Sequence, residues 1–122
     1  MPSFKNVNAV LPVADHAAAV AWYSKWIGRK PDVEPTEGVA EWEIASNAWI
    51  QDSLDPDAAG KTTVVVGVDD IDATVADLGK EGVTCGEMQD YGFVKLTEIV
   101  DPDGNKVTFA WENPDFDPSE AE

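Results

Sequence analysis

Apolar and polar positions alternate along this chain in short runs, and each run predicts an element. Over residues 7–13, Val7, Ala9, Leu11 and Val13 fall on one side, with Asn6, Asn8, Val10 and Pro12 on the other. A period of two predicts a strand with one buried face. Pro12 has no amide hydrogen and suits a strand end. The period then becomes helical: Ala19, Val20, Tyr23, Trp26 and Ile27 share one face of a helix capped by Asp15 and stopped by Gly28. A short strand is expected over residues 31–35. A better one covers 39–45, with Ala40, Trp42 and Ile44 opposing Glu41 and Glu43. After a turn at Ser46-Asn47, residues 48–52 form another, with Trp49 and Gln51 opposite Ala48 and Ile50. Residues 54–61, with Asp55-Pro56-Asp57 and Gly60, read as a linker.

The same order then returns. Residues 62–68 are a β-branched strand. Asp69 or Asp70 caps a second helix, lined by Ile71, Val75 and Leu78 and ended by Gly82. Strands are expected over 83–91 and 93–100. The last, over 106–112, sets Val107, Phe109 and Trp111 on an apolar face, with Trp111 expected in the core, against Thr108, Ala110 and Glu112. Before it stands Asp101-Pro102-Asp103-Gly104-Asn105. Here proline presets φ, the aspartates bond back to amides, and Gly-Asn tolerates positive φ. The halves align, Val13-Ala14-Asp15 with Val68-Asp69-Asp70 and Ile50-Gln51 with Val107-Thr108. The expected fold class is therefore α+β, two βαβββ modules in one domain over 1–122. The first module covers 4–53, the linker 54–61, the second module 62–112 and a frayed tail 113–122. A lone module leaves one sheet face bare, so the two should combine around a cavity.

Charge narrows the partners. With 24 acidic against 8 basic residues, the net charge is −16. Such a surface repels nucleic acid and anionic lipid. It either solubilises the chain or favours a cationic ligand. No apolar run is long enough to span a membrane. The N-terminus lacks a signal-like stretch, and the lone Cys85 excludes an intrachain disulfide, so a cytoplasmic, reducing location is expected. Cys85, without a basic neighbour, reads as a buried thiol.

Three stretches in order resemble the vicinal oxygen chelate superfamily, which includes glyoxalase I, extradiol dioxygenases and bleomycin resistance proteins. They are Leu11-Pro12-Val13-Ala14-Asp15 leading into Ala21-Trp22-Tyr23, Val66-Gly67-Val68-Asp69-Asp70-Ile71-Asp72 leading into the second helix, and Asp101-Pro102-Asp103-Gly104-Asn105. The resemblance implies a glyoxalase/bleomycin resistance-like fold and a homodimer. It also implies that catalytic members hold a divalent metal through His, Glu or Gln on the first and last strands of each module. Carried over by spacing, those positions hold Asn8, Gln51, Thr63 and Thr108. Neutral amides and hydroxyls are a poor set for such an ion. The one histidine, His16, reads as a solvated residue at a helix start. We therefore expect no metal cofactor and no catalytic residue.

A ligand site remains possible without chemistry. If Trp42 and Ile44 face the helix, Glu41 and Glu43 face the concave side, together with Trp49 and Gln51. Phe93 is placed on the same side. An aromatic wall with a few polar groups suits a small molecule, and carboxylates beside tryptophan suit a cation. The competing readings are a solvated edge strand for the glutamates and packing against the other module or a second subunit for Trp49. The candidate ligand-binding set is Asn8, Glu41, Glu43, Trp49, Gln51, Thr63, Phe93 and Thr108. The expected function is metal-independent small-molecule binding, resembling the bleomycin resistance branch, with a cationic or aromatic ligand. The alternatives are a lyase, isomerase or dioxygenase holding a metal through Glu41, Glu43, Gln51 or Glu98, and a non-catalytic dimeric interaction module.

Overall fold

A computed structural model describes residues 2–117 and 119. In chain order the elements are β1 (Val7–Val13), α1 (His16–Ile27), β2 (Val33–Thr36), β3 (Val39–Ala45), β4 (Ala48–Leu54), β5 (Thr63–Gly67), α2 (Ile71–Lys80), β6 (Gln89–Asp90), β7 (Val94–Val100) and β8 (Lys106–Glu112). They build two four-stranded sheets, ordered β1-β4-β3-β2 and β5-β8-β7-β6. This is the α+β, twice-repeated βαβββ arrangement that the alternation predicts. Two compact units result. One holds the chain up to Val64 together with Val100–Lys106, and the other holds Val65–Ile99 together with the chain from Val107 onward. The turn that closes the last hairpin thus packs within the first unit.

In the first unit β4 pairs parallel with β1 and antiparallel with β3. Leu11, Val13, Ala40, Trp42 and Ile50 are wholly buried on one face of this sheet, with Ala19 and Tyr23 of α1. Helix α1 begins where expected, its Ala18 amide donating to the Asp15 carboxylate at 3.1 Å. It ends at Gly28, with φ +91°. The Tyr23 and Trp42 rings lie 5.9 Å apart. The Trp42 indole N–H donates to the Arg29 carbonyl at 3.0 Å, so its polar edge is satisfied. Removing such a ring costs about 3–5 kcal/mol.

The Asp101–Asn105 turn is held by its own side chains. Asp101 Oδ1 accepts from the amides of Asp103, Gly104 and Asn105, each at 2.9 Å. Its Oδ2 accepts from the Tyr23 hydroxyl at 3.0 Å and from Asn105 Nδ2 at 2.8 Å. Asn105, fully buried, also donates to the Pro12 carbonyl at 2.7 Å and accepts from the Thr62 amide at 3.1 Å. One turn therefore ties together Pro12 of β1, Tyr23 of α1 and Thr62, all within the first unit.

In the second unit Ile71, Leu78, Val83, Ile99, Val107 and Phe109 are buried. Three expectations need correction. The strand expected over 83–91 shrinks to Gln89–Asp90, paired with Leu96 and Lys95. Val83 instead closes the helix end, its amide donating to the Leu78 carbonyl at 2.9 Å. A buried hydrophobe after a glycine with φ +77° serves as a helix stop here, not as a strand start. Trp111, expected in the core, is half-exposed, with Lys95 Nζ 5.3 Å from its ring centroid. The strand expected over 31–35 forms at Val33–Thr36, exposed throughout and with an interrupted register. The tail expectation falls partly on residues outside the described ones.

Candidate functional site

Strand parity places most of the candidates. In β1, β3 and β4 the residues facing away from Trp42 and Ile50 are Asn8, Val10, Glu41, Glu43, Trp49 and Gln51. The register then makes neighbours of them: Asn8 pairs with Trp49 and Val10 with Gln51 across β1–β4, and Glu41 pairs with Gln51 and Glu43 with Trp49 across β3–β4. Asn8 Nδ2 donates to Glu41 Oε2 at 3.3 Å and lies 3.5 Å from Gln51 Oε1. Asn8 Oδ1 accepts from Asn6 at 2.8 Å. The face opens on a cavity of about 370 Å³ lined by Glu41, Glu43, Trp49 and Asn8, with Lys5, Asn6, Val33 and Asn47 around them.

Glu43 is fixed at both backbone atoms. Arg29 forms a two-pronged ion pair with Asp32, its Nε–Oδ1 and Nη2–Oδ2 distances being 3.0 and 2.9 Å. Arg29 Nη2 also donates to the Glu43 carbonyl at 2.6 Å, and the Glu43 amide donates to Asp32 Oδ2 at 2.8 Å. The guanidinium holds the Asp32 carboxyl down to about 2. The Glu43 side chain accepts from the Asn47 amide at 3.0 Å. Its other oxygen makes no hydrogen bond among the described residues.

The remaining candidates lie elsewhere. Thr63 is exposed at the start of β5. Phe93 belongs to the second unit, half-exposed in an aromatic cluster with Tyr91 at 6.5 Å and Phe116 at 5.5 Å between centroids. Thr108 is half-buried on β8 and lines a cavity of about 400 Å³ within the second unit. As metal ligands the quartet Asn8, Gln51, Thr63 and Thr108 does not fit. All four are neutral, Asn8 and Gln51 are already joined through the Asn8 amide, and no group of three or more His, Cys, Asp or Glu could hold an ion among the described residues.

The acid that the sequence reading passed over is Asp52. It is wholly buried on the inner face of β4. Its Oδ1 stands 3.3 Å from His16 Nδ1, so His16 is not simply solvated: it leans over the sheet as the partner of a buried carboxylate. Burial pushes the Asp52 carboxyl up to about 6. The His16 charge and the Ala40 amide oppose the rise, and Glu34 and Asp101 add to it. Burial, and then Asp101, pushes the Tyr23 hydroxyl far above its usual range, so it remains a donor. Continuing the alternation from Ala48 and Ile50 would have placed Asp52 inside. Nothing local pointed to His16 as its partner.

The sequence profile of the Glyoxalase/Bleomycin resistance protein/Dioxygenase superfamily matches residues 6–109. No curated protein matches the chain. Among solved structures, a glyoxalase/bleomycin resistance protein from Catenulispora acidiphila superposes with a TM-score of 0.83 at 28% identity, over 88% of this chain and 98% of its own. An antibiotic-binding protein from Streptomyces sp. CB03234 gives 0.77 at 19%, over 93% and 99%. A bleomycin resistance determinant encoded on the transposon Tn5 gives 0.73 at 15%, over 90% and 99%. At those last two identities the likeness is one of fold.

Proposed function

Because this chain belongs to the Glyoxalase/Bleomycin resistance protein/Dioxygenase superfamily, we propose that it binds a planar, cationic small molecule on the open face of its first sheet, without a metal and without chemistry. The observation that carries this reading is the register that sets Glu43 beside Trp49 and Glu41 beside Gln51 on that face. Magnitudes decide which part of the ligand matters most. An exposed ion pair contributes only about 0–1 kcal/mol. Covering ~100 Å² of apolar ligand surface contributes about 2.5 kcal/mol, and a cation over an indole adds about 0.5–2 kcal/mol. A flat ring stacked on Trp49 supplies the affinity, and the two carboxylates select for positive charge. The antibiotic-binding and bleomycin-resistance neighbours support a small-molecule ligand. Exposed Val10 and Val65, 43% and 65% accessible, support a homodimer that covers part of the open faces.

Calorimetry with planar aromatic cations, and separately with bleomycin, tests the reading. Saturable binding should weaken at least tenfold in Trp49→Ala. It should weaken several-fold in Glu43→Gln, with a shallower salt dependence. Unchanged affinity in Trp49→Ala would sink it. So would stoichiometric Zn²⁺ or Ni²⁺ binding that disappears in Gln51→Ala, which would put the metal-dependent lyase, isomerase or dioxygenase first.

A further inference from the structure

The open face of the first sheet also carries a charge of the opposite sign. Lys5 lines the same cavity of about 370 Å³ as Glu41, Glu43 and Trp49, and it is the one basic residue among the described lining. The chain that carries it is fastened just before β1. The Val7 amide donates to the Asn47 carbonyl at 3.0 Å, and Asn6 Nδ2 donates to Asn8 Oδ1 at 2.8 Å. Lys5 is therefore held at the rim of the site. Its own side chain is exposed and makes no hydrogen bond or ion pair among the described residues.

Two carboxylates in the same cavity would be expected to capture this ammonium, yet neither does. Glu41 Oε2 accepts from the Asn8 amide at 3.3 Å, and the Glu43 carboxylate accepts from the Asn47 backbone amide at 3.0 Å. Neutral donors hold both acids. Strand order then keeps the charges apart. In the sheet β4 lies between β1 and β3, and Trp49 of β4 pairs with Asn8 on one side and with Glu43 on the other. The face thus has a positive edge on the β1 side, an indole in the middle and a negative edge on β3. Two interstrand spacings, roughly 10 Å together, separate those edges. A single aromatic ring with a charged group at each end spans that width.

We propose that Lys5 is a specificity-determining residue of this site, and that the ligand class is a planar zwitterion. A flat cationic ring lies over Trp49 with its positive end toward Glu43 and Glu41, and a carboxylate on the same ring meets the Lys5 ammonium. The inference rests on the proposed function, keeps its cation and adds a second charge to the ligand. An ammonium on a flexible stem is a point charge that makes little demand on the geometry of the anion it meets. The field of the whole chain argues the other way: a net charge of −16 favours a full cation over a zwitterion of no net charge. Only a local positive charge reverses that order, so the order of affinities reports on Lys5.

The test compares trigonelline, a flat pyridinium carboxylate, with its carboxamide counterpart, a pyridinium of the same shape without the anionic group. Each is titrated into the full chain at low salt, followed by tryptophan fluorescence and by backbone amide resonances. Trigonelline should bind more tightly by about three- to fivefold, the size of an exposed ion pair. The preference should disappear or reverse in Lys5→Met and survive in Lys5→Arg, with the resonances of Asn8, Trp49 and Gln51 moving in each case. Lys5→Met removes no side-chain bond among the described residues, so its unfolding midpoint should match the parent. Equal affinities in the parent, tighter binding of the carboxamide, or a preference unchanged in Lys5→Met overturns the inference. Any of these leaves the proposed function standing as long as carboxamide binding weakens in Trp49→Ala. Binding of neither compound overturns the inference as well, and the proposed function falls with it only if larger planar cations also fail.

Discussion

Asp52 is the residue whose environment and charge most disagree. Its carboxyl rises from an ordinary 3.8 to about 6 in the fold, so the fold prefers it protonated. The sign follows: its favourable contribution is complete below about pH 4 and is lost as pH rises through about 6. Linkage over that interval puts the loss at up to about 3 kcal/mol. Urea unfolding at pH 4.5 and 7.5 checks this. Asp52→Asn should show a flatter dependence than the parent and should exceed it in stability at the higher pH. An unchanged slope in Asp52→Asn would overturn the assignment of this pH dependence to Asp52. The parity of β3 and β4 announced that Glu41, Glu43, Trp49 and Gln51 share a face. The His16–Asp52 contact joins a helix start to a strand end, and no periodicity reports on such a pair.

At the scale of elements, the turn before β8 ties distant parts of the first unit together. Its sequence announced a turn, but not that Asn105 would be buried between Pro12 and Thr62 or that Asp101 would take the Tyr23 hydroxyl. Gly60 shows how closely the neighbouring segment approaches. A Cβ built there would lie 2.1 Å from the Asp103 carbonyl oxygen, and its φ is +83°. Backbone cannot yield as a side chain would, and the left-handed conformation alone costs roughly 1–2 kcal/mol for a residue with a Cβ. Gly60→Ala should therefore lower stability by at least about 2 kcal/mol in chemical unfolding, whereas Gly28→Ala, which meets no atom within 4 Å, should cost only the conformational part. Equal losses in the two variants would refute the close approach. The same scale explains the shortened β6. Apolar content around Val83 suggested a strand, but tertiary packing spent that residue on the helix end.

For the whole molecule the decisive quantity is charge. Twenty-four acidic side chains against eight basic ones repel one another in the folded state more than in the extended chain. Only two lysine or arginine ion pairs offset this among the described residues: Arg29–Asp32 and Lys80–Asp77. The midpoint of thermal unfolding should therefore climb as KCl is raised from 0.01 to 1 M, where the screening length falls from about 30 to about 3 Å. A flat or falling midpoint would show that the surface charges are spaced too widely to matter. What the sequence determined by itself is whatever depends on neighbours in the chain: the turns, the caps at Asp15 and Asp70, the repeat, and the face on which each strand residue stands. Those follow from backbone geometry over a few residues. Only the tertiary structure decided which residues on a face become neighbours, such as Glu41 beside Gln51 and Glu43 beside Trp49, and which acid is buried beneath a histidine. Those outcomes depend on strand register and on helix packing across tens of residues, where the competing arrangements look alike in the sequence and differ only in what they bury.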